Sequence, residues 1–269
     1  MAGAMDVMRA QLHATIYWYK NNRWLFLTMF LWPYLMVGML LVVGVMFGSM
    51  KEYASRMGVS SPGFFLLSAS TVAMSSLGIV DAVAGFALYN RWLGTLNYIV
   101  LSPMRTTLIF LAAGIPDSLI TMLITVTSVS PAVLYIGGLG GGLRLLLILL
   151  VMLVGMLPLL GLSVLAASLL LLVKEESNII NSIVPFMLLV SGVFYPVGIL
   201  PGLLQAVSRA VPVTYVVRAA RIASVFGELR GAPLIAVFYS LLLLALAYNG
   251  AASLAIRGAE EKVRMRGVD

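Results

Sequence analysis

Residues 145–173 read LLLILLVMLVGMLPLLGLSVLAASLLLLV, without one charged side chain. A helix needs about 20 apolar residues to cross the hydrocarbon core of a bilayer, and this stretch is long enough. It does not alternate apolar with polar positions, as a transmembrane β-strand would over about 10 residues. A helix is therefore expected, because it satisfies every backbone donor and acceptor within one segment. Five more windows of the same kind flank it. They are 24–50; 57–80, running on past Asp81 to Leu88; 106–143, interrupted only by Asp117; 177–208; and 231–256.

The composition agrees with the windows. Of 269 residues 61% are hydrophobic and 10% charged, where soluble domains carry about 25% charged residues. Mean hydropathy is +1.05. There is too little polar surface to clothe a soluble core and too much apolar character for disorder. The expected fold is an all-α integral membrane protein, one transmembrane domain over residues 1–269. It has six transmembrane helices at about 24–49, 63–88, 106–136, 144–173, 178–195 and 232–256. The glycine run 137–142 (GGLGGG) reads as a tight extracellular turn between the third and fourth.

Two shorter elements complete this layout. Met5, Met8, Leu12, Ile16 and Tyr19 recur at helical spacing, so residues 1–23 read as an amphipathic helix lying on the membrane surface, with Trp18 and Trp24 at headgroup level. After the fifth span, Pro196, Pro201 and Pro212, with Gly198 and Gly202 between them, forbid one straight helix. A short surface or re-entrant helix is expected from Pro201 to about Ala210, stopping before Pro212. Six crossings place both termini on one side. Ten of the 17 Lys and Arg residues fall on that side, which makes the termini cytoplasmic in a plasma membrane by the positive-inside rule. Four of the other seven crowd into 209–230.

Little soluble-enzyme chemistry is available. The chain has no cysteine and a single histidine, His13, so no catalytic, metal or cofactor site is expected. None of its lysines follows a glycine, so the phosphate-cradling P-loop is missing and the chain does not hydrolyse ATP by itself. Its net charge of +7 suits anionic lipid headgroups rather than nucleic acid. Polar groups within the spans are the functional candidates. Asp81, Asp117, Asn178 and Asn181 either line a translocation pathway or sit hydrogen-bonded at helix ends and helix–helix contacts. Gly44-x-x-x-Gly48 and Ser163-x-x-x-Ala167 read as close-packing sites.

The segment 89–105, YNRWLGTLNYIVLSPMR, lies between the second and third spans. Trp92, Leu93, Leu96, Ile99 and Val100 share one helical face, and Pro103 ends the element. Such a helix either rests on lipid or docks its apolar face into a partner's groove.

Here the sequence resembles the permease subunits of ABC-2-type transporters. In that family an Arg-x-x-Gly-Thr-Leu-Glu stretch and a later Pro follow the second span; this chain has Arg91, Gly94, Thr95, Leu96 and Pro103. The family's Ser-Gly-x-x-Phe/Tyr-Pro stretch, Leu-Pro segment, second Pro and Arg match Ser191-Gly192, Tyr195-Pro196, Leu200-Pro201, Pro212 and Arg218 or Arg221. The resemblance implies an ABC exporter permease that dimerises with an identical or related permease and pairs with separate ATPase subunits, which hold ATP and Mg. It implies that 90–105 (Arg91, Trp92, Leu93, Gly94, Thr95, Leu96, Ile99, Val100, Pro103, Arg105) is the ATPase-coupling helix. It also implies that Pro196, Pro201, Gly202, Pro212, Arg218 and Arg221 belong to an outward-facing re-entrant element, and that the N-terminal helix touches the ATPase. Asn97 stands where the family usually has Glu, and Asn90 is neutral where a charge is common, so an ion pair to the ATPase is either absent or relocated to Arg91 and Arg105. The alternative is an ion-coupled secondary transporter using Asp81 and Asp117.

Overall fold

The computed structural model describes residues 3–46, 48–172, 179–226 and 231–266. Those residues are helical throughout, apart from turns: α1 (Ala4–Asn21), α2 (Arg23–Met46), α3 (Met50–Met57), α4 (Pro62–Trp92), α5 (Leu96–Val100), α6 (Thr106–Leu172), α7 (Ile179–Val190), a 3-10 turn (Val197–Ile199), α8 (Gly202–Ala210), α9 (Pro212–Ala223) and α10 (Gly231–Arg266). Four of these, α2, α4, α6 and α10, are long and apolar enough to cross a membrane.

At about 1.5 Å per residue, the 67 residues of α6 would stretch about 100 Å, far beyond a hydrocarbon core of about 30 Å. The helix instead folds at one residue. Gly138 takes φ 56° and ψ −151°, a conformation open to glycine because it has no Cβ. A Cβ on Gly141 would lie 2.9 Å from the Val133 carbonyl oxygen, and Leu160 lies beside Gly114. Residue pairs that close around position 138 define a hairpin of two antiparallel arms, 106–137 and 139–172. The glycine run does make the tight turn the sequence suggests, but the reversal is confined to Gly138, and helix continues on both sides of it.

α4 sits in the middle of the bundle, buried along most of its length. It runs antiparallel to the first arm of α6: Gly78 faces Thr121, Val83 faces Gly114, and the Ser75 and Thr125 hydroxyls meet at 2.7 Å. It runs parallel to the second arm. There the Ser163 hydroxyl donates to the Val80 carbonyl and accepts from the Ala84 N–H, inserting itself into one rung of the α4 ladder. The Ser163-x-x-x-Ala167 pair, both buried, is thus a packing site, as expected. Gly48, by contrast, lies beyond the end of α2 at φ 97°, so Gly44-x-x-x-Gly48 is not a continuous helical stripe. α10 packs on the other side of the second arm, where Gly161 lets the Tyr248–Asn249 backbone approach.

Three elements depart from the expected layout. Within the described residues the fifth span is helical over Ile179–Val190 and ends before Tyr195, because the chain turns at Ser191-Gly192, with Gly192 at φ 82°; Asn178 lies outside the described residues. Pro212 does not end the irregular segment. It opens α9, since proline at the first helical position loses no intrahelical bond. α9 is largely buried against α4, α6 and α10. α3 is also additional, ended by Gly58 in the left-handed region.

The Gly161 contact tests this packing. A Cβ there would lie 2.9 Å from backbone atoms of α10, which cannot swing aside as a side chain can. Gly161→Val is expected to cost about 1–3 kcal/mol by overpacking and lower the melting temperature in detergent. Gly198→Ala, with nothing within 4 Å, should leave it unchanged.

Candidate functional site

Two ends of the bundle carry the candidate residues. At the Thr106 end, α4 stops at Gly94, which takes φ 69°. The Gly94 N–H donates to the Arg91 carbonyl and the Thr95 N–H to the Asn90 carbonyl, both at 2.9 Å. That is the Schellman ending of a helix, and it gives the Gly-Thr dipeptide a physical reason. The Thr95 hydroxyl also donates to Asn90 Oδ1 at 2.8 Å, locking the turn.

The connection is then pinned at both ends. Arg91 Nη1 donates to the Leu170 carbonyl at 2.7 Å, where a cation meets the carbonyl-rich end of α6. The Thr106 N–H donates to Glu260 Oε1 at 3.1 Å, placing a carboxylate of α10 at the N-terminus of α6. Between the pins, α5 packs on α4, α6 and α10.

This differs from the single apolar face read in the sequence. Gly94 breaks the helix, so Trp92 and Leu93 belong to the end of α4, while Leu96 and Val100 turn inward and are buried. Ile99 is half-buried. The outward apolar side chains are Trp92, Leu93, Tyr98 and Leu101, 57–76% exposed, with Pro103 and Arg105 exposed beside them. Tyr98 and Leu101 escaped the sequence reading because helical spacing was counted across the Gly94 break.

The N-terminal helix meets the bundle through polar side chains that the sequence reading did not single out. Met5, Leu12 and Ile16 face outward, whereas the polar side grips the bundle. Gln11 Nε2 donates to Asp117 Oδ2 at 3.1 Å, and the Thr15 hydroxyl donates to Asp117 Oδ1. The Tyr19 hydroxyl donates to Met29 Sδ at 3.0 Å. In lipid the apolar stripe has no reason to face the protein, and the polar stripe has every reason to. Asp117 is therefore an anchor for α1. Asp81 stands at about the same level on α4, since Gly78 faces Thr121 and Val83 faces Gly114; its side chain is exposed, with Gly78 and Gly85 flanking it. Asn181 lies in α7, its side chain outside the described set.

At the Gly138 end, α8 and α9 form a helical hairpin. Ala210, at its tip, accepts from the Tyr248 hydroxyl at 2.9 Å, and Val216 contacts Gly155. Arg144 then donates to the Ala223 and Val225 carbonyls at 2.7 and 2.6 Å, with its guanidinium 4.6 Å from the Phe226 ring centroid. α9 thus lies alongside the second arm of α6, running from the level of Gly161 back to that of Arg144. Pro196 precedes the 3-10 turn; Pro201 and Gly202 begin α8; Arg218 and Arg221 lie on α9.

These features are a helical membrane bundle with a capped cross-connection at one end and a helical hairpin along it from the other. The sequence model of the ABC-2 type transporter family matches residues 13–225, and the chain belongs to that family. No curated protein matches it.

The Asp117 anchor generates a prediction. Asp117→Ala removes two hydrogen bonds to a carboxylate, together worth about 1.5–3 kcal/mol or more. Amide exchange across α1 should accelerate while exchange in α4 stays slow; equal protection in both proteins would show that α1 is held by something else.

Proposed function

We propose that the chain is the permease subunit of an ATP-driven exporter. In this reading it sits in the plasma membrane with both termini cytoplasmic, pairs with a second permease, identical or related, and docks two separate ATPase subunits that bind ATP and Mg. The observation that carries the reading is the 92–101 connection. Exposed apolar side chains at the end of a bundle, where water and headgroups replace acyl chains, mark a protein contact. The connection is also pinned to α6 and α10, so a push on it is passed to three spans at once. Arg105 is the exposed cation positioned for a partner's carboxylate. Arg91 is engaged in capping Leu170.

Energy enters through the partner. Nucleotide shifts the permease between inward-open and outward-open states only by its differential affinity for the two. The chain's own part is the lever at 90–105 and the pathway, with Asp81 the candidate polar lining beside the α1 anchor. Membership of the ABC-2 family and the missing P-loop support this division of labour over ion-coupled transport.

The docking patch and the buried pins separate by mutation. Replacing Tyr98 and Leu101 together with Asp should abolish co-purification of the ATPase from native membranes and leave the melting temperature unchanged. Leu96→Asp should instead destabilise the permease, by more than the roughly 2–5 kcal/mol of a buried Leu→Ala truncation. Unaltered ATPase retention by the Tyr98/Leu101 variant would remove the coupling role.

A further inference from the structure

Arg218 and Arg221 lie one turn apart on α9. Residues three apart on a helix are surface neighbours, with Cβ atoms about 5–6 Å apart, and like charges so placed repel. Arg221 is half-buried. Its Nη2 donates to the Gly192 carbonyl at 3.2 Å, and its guanidinium stands 6.0 Å from the Phe65 ring centroid. Its Nε is sealed from solvent with no acceptor, and Arg218, exposed, bears on it with the same charge.

Among the described residues neither Arg218 nor Arg221 stands within ion-pair distance of a carboxylate; the ion pair seen there joins Arg56 to Glu52, at 2.8 Å. The remaining group beside Arg221 is Tyr53. Burial pushes its phenol up to about 12, against the opposing pull of Arg221, so at neutral pH it carries no charge. Arg144, the other cation packed against α9, is taken up by the Ala223 and Val225 carbonyls. A half-buried guanidinium held by a backbone carbonyl, and a second exposed one a turn away, form a fork suited to a tetrahedral oxyanion. A cation beside transmembrane helices calls for such a partner more strongly than one in water.

We infer that Arg218 and Arg221 bind a phosphate-type oxyanion, supplied either by the phosphodiester of an anionic lipid headgroup or by a soluble phosphate. Arg221 is the fixed half of the clamp, held by Gly192; Arg218 is the mobile half and closes over the anion. The site does not depend on an ATPase partner and is tested without one.

The test uses the full chain in neutral detergent, titrated separately with phosphatidylglycerol, phosphatidylcholine and inorganic phosphate. Melting temperature and lipid retention in native mass spectrometry are read together. Phosphatidylglycerol should raise the melting temperature and remain bound, and phosphatidylcholine should do neither. Stabilisation by inorganic phosphate as well assigns the site to soluble oxyanions; its absence assigns it to lipid. Arg218→Gln, which removes no hydrogen bond seen in the fold, should weaken binding about tenfold, Arg218→Lys should recover part of it, and Lys51→Gln should have no effect. Wild-type binding by both Arg218→Gln and the Arg218→Gln/Arg221→Gln double variant, or no response to either anionic probe, would overturn the inference.

Discussion

Within a bilayer there is no water to finish an unfinished hydrogen bond, and an unmet polar group costs several kcal/mol. That constraint organises this molecule. Where α6 reverses, it does so at one glycine, so that only a minimum of backbone leaves the helical ladder. Where α4 ends, at the wetter end of the bundle, the Schellman turn at Gly94 still takes up the loose carbonyls. Arg91 and Arg144, which in a soluble protein would reach into water, cap the carbonyl ends of α6 and α9. Ser163 enters the ladder of α4 and satisfies both halves of the rung it disturbs. Asp117 is met by α1.

The same constraint explains what could be read from the sequence. The helical class and the positions of α2, α4, the arms of α6 and α10 follow from runs of apolar residues, since length and hydropathy are local properties. So does the turn at 137–142. The amphipathic stripe of α1 was legible, but the meeting of its Gln11 and Thr15 with Asp117 was not, because that contact is tertiary. α9 was hidden for a related reason: proline is both a helix stop and a helix start, and at Pro212 the deciding factor is burial against α4, α6 and α10, which is tertiary. The split of 89–105 at Gly94 was local and could have been found, since Leu-Gly-Thr after a long helix is a C-terminal signal.

The two ends of the bundle have different chemistry. At the Thr106 end an apolar patch rides on a connection pinned by Arg91 and Glu260, and its rigidity suits it to transmit force. At the Gly138 end the α8–α9 hairpin carries Arg218 and Arg221 along the flank of the spans. Between them, the hydroxyls and glycines of α4 and α6 keep the helices close: Gly78 and Gly114 leave no room for a Cβ against their neighbours. In the proposed cycle, movement at one end would be passed on as tilting of helices rather than absorbed by compression, since close-packed interiors compress little. That linkage is what a permease driven from outside its own chain needs.

The central claim is that this ABC-2 family bundle is worked by a separate nucleotide-hydrolysing subunit gripping the 92–101 connection. The most direct measurement is photo-crosslinking in native membranes from a photoreactive residue at position 98. The account predicts a covalent adduct to an ATPase subunit, with a yield that changes when a non-hydrolysable ATP analogue is added. Adducts to lipid alone, insensitive to nucleotide, would contradict it.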